Sequence, residues 1–132
     1  MSKSVYIAAP WKHKPDALIA QGLFEEAGWT VTSHWIKYHS DAQPGNEKDF
    51  GELRIQAHAD LDAVKTASLF VILNLLKSEG KATELGYAYA LGKPIILVGE
   101  RERNIFYYLD SIHQVDTIQK AIEYGAVLVG GK

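Results

Sequence analysis

The chain has no cysteine among its 132 residues, which excludes disulfides, thiol nucleophiles and cysteine-based zinc sites together. It also lacks an excess of either charge. Fourteen Lys and Arg against 16 Asp and Glu leave a formal charge of −2 and a pI near 6.2. No electrostatic footprint therefore favours a nucleic acid polymer or an anionic membrane, and small-molecule chemistry gains ground. No apolar run approaches the roughly 20 residues of a membrane-spanning helix. The opening "MSKSVYIAAPWK" has too short an apolar stretch for a signal peptide, so a cytoplasmic location is expected. The five histidines make no HxxxH or HExxH spacing, and no metal site is expected. GxGxxG and Walker A patterns are missing too, so neither a dinucleotide nor any other cofactor is expected.

What is present is ordinary globular composition, with 47% hydrophobic and 23% charged residues. One domain over residues 1–132 is the expectation, with no internal repeat or linker. "SVYIAA" (residues 4–9) is a short apolar, partly β-branched run ended by Pro10, and reads as a buried parallel strand. From Pro15 to Ala27, Leu18, Ile19, Leu23, Phe24 and Ala27 recur at helical steps before a stop at Gly28. "TVTSHWI" (30–36) is strand-like, and the polar "KYHSDAQPGNEKD" after it reads as a loop. A helical pattern over about 48–66 leads into the strand "SLFVILNL" (68–75). A helix within "SEGKATELGYAYALGKPII" (78–96) is stopped by Gly92 and followed by the strand "PIILVG". A weaker strand, "SIHQV", and a helix from about Thr117 to Tyr124 complete the order.

Strands alternating with helices, each strand nearly all apolar, predict an α/β fold. The expectation is a flavodoxin-like doubly wound sheet of about five mainly parallel strands, with helices on both faces. Such sheets bind ligands beyond the carboxyl ends of their strands where the order reverses, here between strands one and three. The turns after Ala9 and Leu75 should line the site.

Several residues fall there. Glu84 is expected in the first turn of its helix, where free N–H groups and the dipole favour an ionised carboxylate. It reads either as a nucleophile or as a dipole-complementing surface acid. Asp60 and Asp62 lie toward the end of the preceding helix, where acids oppose the dipole. Asp62 has Lys65 three residues on, whereas Asp60 has no such partner. Two carboxylates suffice to cleave and remake a glycosidic bond. Tyr6, within strand one, needs a partner for its phenol, either a carboxylate or backbone. Trp11, Lys12, His13 and Lys14 in the next turn offer an aromatic platform and donors, or are solvated loop charge. His34, Trp35, Tyr38 and His39 gather around the long loop, where they either touch a ring or form ordinary surface.

With these residues in hand, the chain resembles the nucleoside 2-deoxyribosyltransferase-like family. The matching stretches are "VYIAAPW", "DLDAVKTAS" and "KATELGYAYALGKPIILV". They run from strand one to strand four and leave the loop at about 37–50 unmatched. The resemblance implies that Glu84 attacks C1′ of the sugar to form a covalent glycosyl-enzyme. It also implies that Asp60 binds the sugar and assists proton transfer to the leaving base, and that Tyr6 positions the nucleophile. An Asn from a neighbouring subunit completes each site in that family, which points to Asn104 in "ERERNIFYY" and to a homodimer or larger homo-oligomer. A further base-contacting Asp is replaced here by "LLKSEGKAT", leaving Ser78 and Glu79 as the nearest candidates.

The family's monophosphate N-glycosidases carry a Ser- and Gly-rich phosphate turn after strand one. "APWKHKPD" is not such a turn, although Lys12, His13 and Lys14 could serve a phosphate by charge. The expected substrate is a nucleoside or nucleotide, and the expected reaction transfers its sugar to another base. Three rival readings stand beside it. One is an N-glycosidase that uses water, one a TIR-like NAD-cleaving enzyme, and one a catalytically silent nucleotide binder.

Overall fold

The computed structural model describes residues 3–38, 40–75, 78–101 and 104–130. Five strands form one sheet: β1 (Ser4–Ala8), β2 (Thr30–Val31), β3 (Leu69–Leu73), β4 (Ile95–Val98) and β5 (Ile112–Val115). Their order is β2-β1-β3-β4-β5 and every pairing is parallel, the flavodoxin-like arrangement that the apolar runs predict. All five residues of β3 are buried, as a central strand covered on both faces requires. Helices α1 (Lys14–Glu26) and α4 (Ile118–Gly130) pack together on one face, and α2 (Phe50–Thr66) and α3 (Glu79–Ala90) on the other.

Local chemistry sets the ends of these elements. α3 begins at Ser78, whose Oγ accepts a hydrogen bond from the Lys81 amide at 3.2 Å, satisfying one otherwise unpaired donor. It ends before Gly92, whose φ of 74° suits a residue without a side chain. The core joins the sheet to both helical layers, and Tyr6 stacks on Phe70 with ring centroids 5.6 Å apart.

The largest departure from the sequence pattern is β2. "TVTSHWI" pairs as a strand only at Thr30 and Val31, and His34–Ile36 turns into a short 3₁₀ segment. Side chains supply the reason. Beyond the Thr32 amide, which bonds Val5 O at 2.8 Å, Ser33 Oγ accepts from the Ile7 amide at 3.0 Å. The Trp35 indole Nε1 donates to the Ile7 carbonyl at 2.9 Å. The β1 groups that a longer strand would pair are thus already satisfied. The chain lifts off the sheet and carries His34, Trp35 and Tyr38 over the carboxyl end of β1. Smaller differences include a 3₁₀ turn at Ile105–Tyr108 that the pattern does not announce, and the extension of α4 beyond Tyr124 to Gly130.

Candidate active site

β1 directs Tyr6 toward the layer formed by α2 and α3. The phenol is fully buried, and its Oη donates to Glu84 Oε2 at 2.5 Å, a short bond of the charge-assisted kind. Burial first, and then the neighbouring Glu84 and Asp60 charges, hold the Tyr6 proton well above the ordinary phenol range. The phenol is a fixed donor.

Because α3 starts at Glu79, Glu84 lies in its second turn rather than the first. The helix terminus helps it less than expected, since the dipole effect fades within one turn. Burial dominates and pushes the Glu84 carboxyl up to about 7; the Tyr6 bond pulls it down, and the Asp60 charge adds to the rise. The expectation that the helix start keeps this carboxylate ionised is corrected accordingly: burial outweighs the dipole and brings the protonated form within reach near neutrality. Asp60, on α2, is also raised, chiefly by burial, with His34 opposing.

Asp60 and Glu84 open into a cleft of about 290 Å³ at the point where the strand order reverses. Aromatic rings form one wall. Trp11 and Trp35 lie 5.9 Å apart at 36°, with Tyr38 beside them on the lining. Lys14 Nζ sits 4.3 Å from the Trp11 ring centroid and donates to the Tyr38 carbonyl at 2.7 Å, which ties the β1 turn to the start of the long loop. Such a slot suits a flat, partly apolar ring with polar edges.

Of the residues singled out in the sequence, Tyr6, Asp60 and Glu84 come together, and Trp11, Ser78, His34, Trp35 and Tyr38 line the same cleft. His39 lies outside the described residues. Lys12 and Glu79 are exposed and off the cleft lining, while His13 is paired with Asp16 at 3.0 Å. Asn104 lines a different hollow, of about 440 Å³, on another side of α3 with Tyr89 and Phe106, and its Oδ1 accepts from the Phe106 amide at 2.9 Å.

Two polar lining residues escape the sequence reading, Gln56 and Lys81. Lys81 is 2% exposed and donates from Nζ to Asn74 Oδ1 at 2.7 Å. Each stands one helical turn before a carboxylate, Gln56 before Asp60 and Lys81 before Glu84, and that spacing is the signal that could have found them. Among the described residues no three His, Asp or Glu side chains gather to hold a metal ion.

The profile of the nucleoside 2-deoxyribosyltransferase family matches residues 5–124. A solved 2-deoxyribosyltransferase from the psychrotolerant bacterium Bacillus psychrosaccharolyticus superposes with a TM-score of 0.69 at 24% identity, covering 92% of this chain and 91% of that one. A CMP N-glycosidase of Clostridium botulinum gives 0.55 at 24% identity, covering 92% and 97%. A conserved protein from Enterococcus faecalis V583 gives 0.61 at 13% identity, covering 95% and 98%. At these identities the structural likeness shows the fold. No curated protein gives a significant sequence match.

Proposed function

The chain belongs to the nucleoside 2-deoxyribosyltransferase family, and from that premise we propose that it breaks the N-glycosidic bond of a nucleoside or nucleotide through a covalent glycosyl-Glu84 intermediate and passes the sugar to a second base. The observation that carries this reading is the 2.5 Å bond from Tyr6 to Glu84 in a cleft shared with Asp60. It occupies one carboxylate oxygen and leaves the other to react.

In the first step the free oxygen of ionised Glu84 attacks C1′. The C1′–N bond breaks, its electron pair leaves with the base, and Asp60 supplies the proton that the base takes. In the second step an incoming base attacks C1′, loses its proton to Asp60, and releases Glu84 as a carboxylate. Asp60 must hold that proton once substrate is bound, a form that its burial favours, whereas in the free enzyme it is the Asp60 charge that acts on Glu84. The aromatic wall of Trp11 and Trp35 would stack the base, and Ser78 would contact its edge. Asn104 would serve the site of a second subunit, since within its own chain it lines another hollow. Lys12, His13 and Glu79 have no part in this scheme.

A hydrolytic reading differs only in the acceptor. Trp11 at the mouth of the cleft is 60% exposed, so water can reach the intermediate, and Asp60 would then take the proton of the attacking water.

The test is to incubate the protein with each nucleoside and nucleoside monophosphate, ribo and deoxy, with and without a different free base, and to separate the products. A new nucleoside that forms only with added base supports transfer; free base released regardless of acceptor assigns hydrolysis. Glu84→Ala should fold normally and lose at least ~100-fold in rate. A folded Glu84→Ala protein with near-normal turnover would sink the mechanism.

A further inference from the structure

Residues 52, 56 and 60 of α2 follow one another at four-residue steps and so form one stripe along the helix. Asp60 reaches the reacting end of the cleft. Gln56 lines the same cleft one turn away, a rise of about 6 Å. A base whose glycosidic nitrogen lies at Asp60 therefore presents its far edge to Gln56.

The amide of Gln56 is not free to turn. Its Nε2 donates to Glu52 Oε2 at 3.2 Å, and that oxygen also accepts from Tyr38 Oη at 3.0 Å and from Ser40 Oγ. An ionised carboxylate only accepts, so the amide must turn its nitrogen toward Glu52. These bonds also hold the Glu52 carboxyl below its ordinary range and so keep it ionised. With Nε2 held on Glu52, the acceptor Oε1 is turned away from that carboxylate and toward the cleft that Gln56 lines. Tyr38 has likewise committed its hydroxyl proton to Glu52.

We infer that Gln56 is a specificity-determining residue whose carbonyl oxygen, oriented by Glu52, selects bases carrying an exocyclic amine on their outer edge, as cytosine and adenine do, over the matching oxo bases. This rests on the nucleoside reading above. An amine donates to Oε1. An oxo group sets two acceptors against each other and leaves both without a proton, a mismatch that costs affinity wherever water is displaced. The network otherwise serves only to fasten the loop after Tyr38 to α2, in which case base preference would not depend on it.

The experiment measures binding to Glu84→Ala protein by calorimetry, so that turnover does not intrude. Matched pairs are compared: cytidine with uridine and adenosine with inosine, each as ribo- and deoxynucleoside and as 5′-monophosphate. The amino member should bind roughly tenfold more tightly in each pair that binds. Gln56→Leu on the same background should bring the ratio to about twofold or less. Glu52→Gln, which lets the amide reverse, should lower the ratio while weakening the oxo members little.

Equal binding within pairs, preference for the oxo member, no binding of any pair, or a ratio untouched by Gln56→Leu overturns the inference. Turnover by the unmodified protein is scored separately. Turnover without base preference sinks the role of Gln56 and leaves the Glu84 mechanism standing. An amine preference in binding without any turnover keeps Gln56 and removes the transfer reading.

Discussion

The reactivity of Glu84 is the balance of three local effects with different origins. Burial favours the protonated acid, the Tyr6 hydroxyl favours the carboxylate, and the nearby Asp60 charge opposes it. The resulting value of about 7 makes the nucleophile ionise as pH rises through neutrality. The rate should therefore climb with pH across that range, with an acid limb near the same value. The two neighbours can be separated because they act with opposite sign. Tyr6→Phe removes the bond that stabilises the charge, so the limb should move to higher pH. Asp60→Asn removes a like charge, so the limb of its reduced activity should move to lower pH. Profiles of kcat/KM against pH for the three proteins decide this. Limbs that coincide, or that shift in the same direction, would mean that another group controls ionisation.

At the scale of elements, packing of α4 on the sheet depends on one missing side chain. A Cβ built at Gly125 would stand 2.6 Å from Leu69 Cδ2 and 3.5 Å from the Trp29 ring, and Leu69 is fully buried. Gly125→Ala gains roughly 1 kcal/mol of helix propensity but overpacks the core by about 1–3 kcal/mol. A net loss on the order of 1 kcal/mol is expected, visible as a lower midpoint in thermal or urea unfolding; a more stable variant would show that α4 has room to shift. Elements of this kind are legible in sequence to the extent that their signal is burial. β1, β3 and β4 are apolar because both sheet faces are covered, and α1, α2 and α3 follow from their period and their stops. β2 is not legible in the same way. Its end is set by Ser33 and Trp35, which satisfy Ile7 in a strand far away in the sequence. Propensity sees residues 30–36 as one run, because the competing bonds are tertiary. The candidate site divides similarly. Glu84 and Asp60 stand out as carboxylates at places that need explaining. Gln56 sits on a largely polar helix face and acquires meaning only when the loop brings Tyr38 and Ser40 against Glu52.

At the scale of the whole molecule, the surface around Asn104 does not resemble an ordinary solvated face. Ile105 is 76% exposed, and Phe106, Tyr108 and Tyr89 also present their rings to solvent around a hollow lined mostly by apolar side chains. A patch of that kind on a chain with a formal charge of only −2 favours self-association over repulsion. A two-fold contact would bring the same patch of each copy together, and in the proposed arrangement it would deliver Asn104 of each copy to the cleft of the other. Mixing isolates this claim from any general effect of either substitution. Glu84→Ala protein lacks the nucleophile, and Asn104→Ala protein lacks the donated amide, so each should be nearly inactive alone. If the subunits are separated by mild denaturant and reassembled together, about half of the dimers should be mixed. Each mixed dimer holds one site with both residues native, so about one quarter of the unmodified activity should return. No recovery, in a sample shown by native mass spectrometry to contain mixed dimers, would place Asn104 outside the reacting site. A chain that remains monomeric at working concentration, with full activity, would remove the shared site altogether.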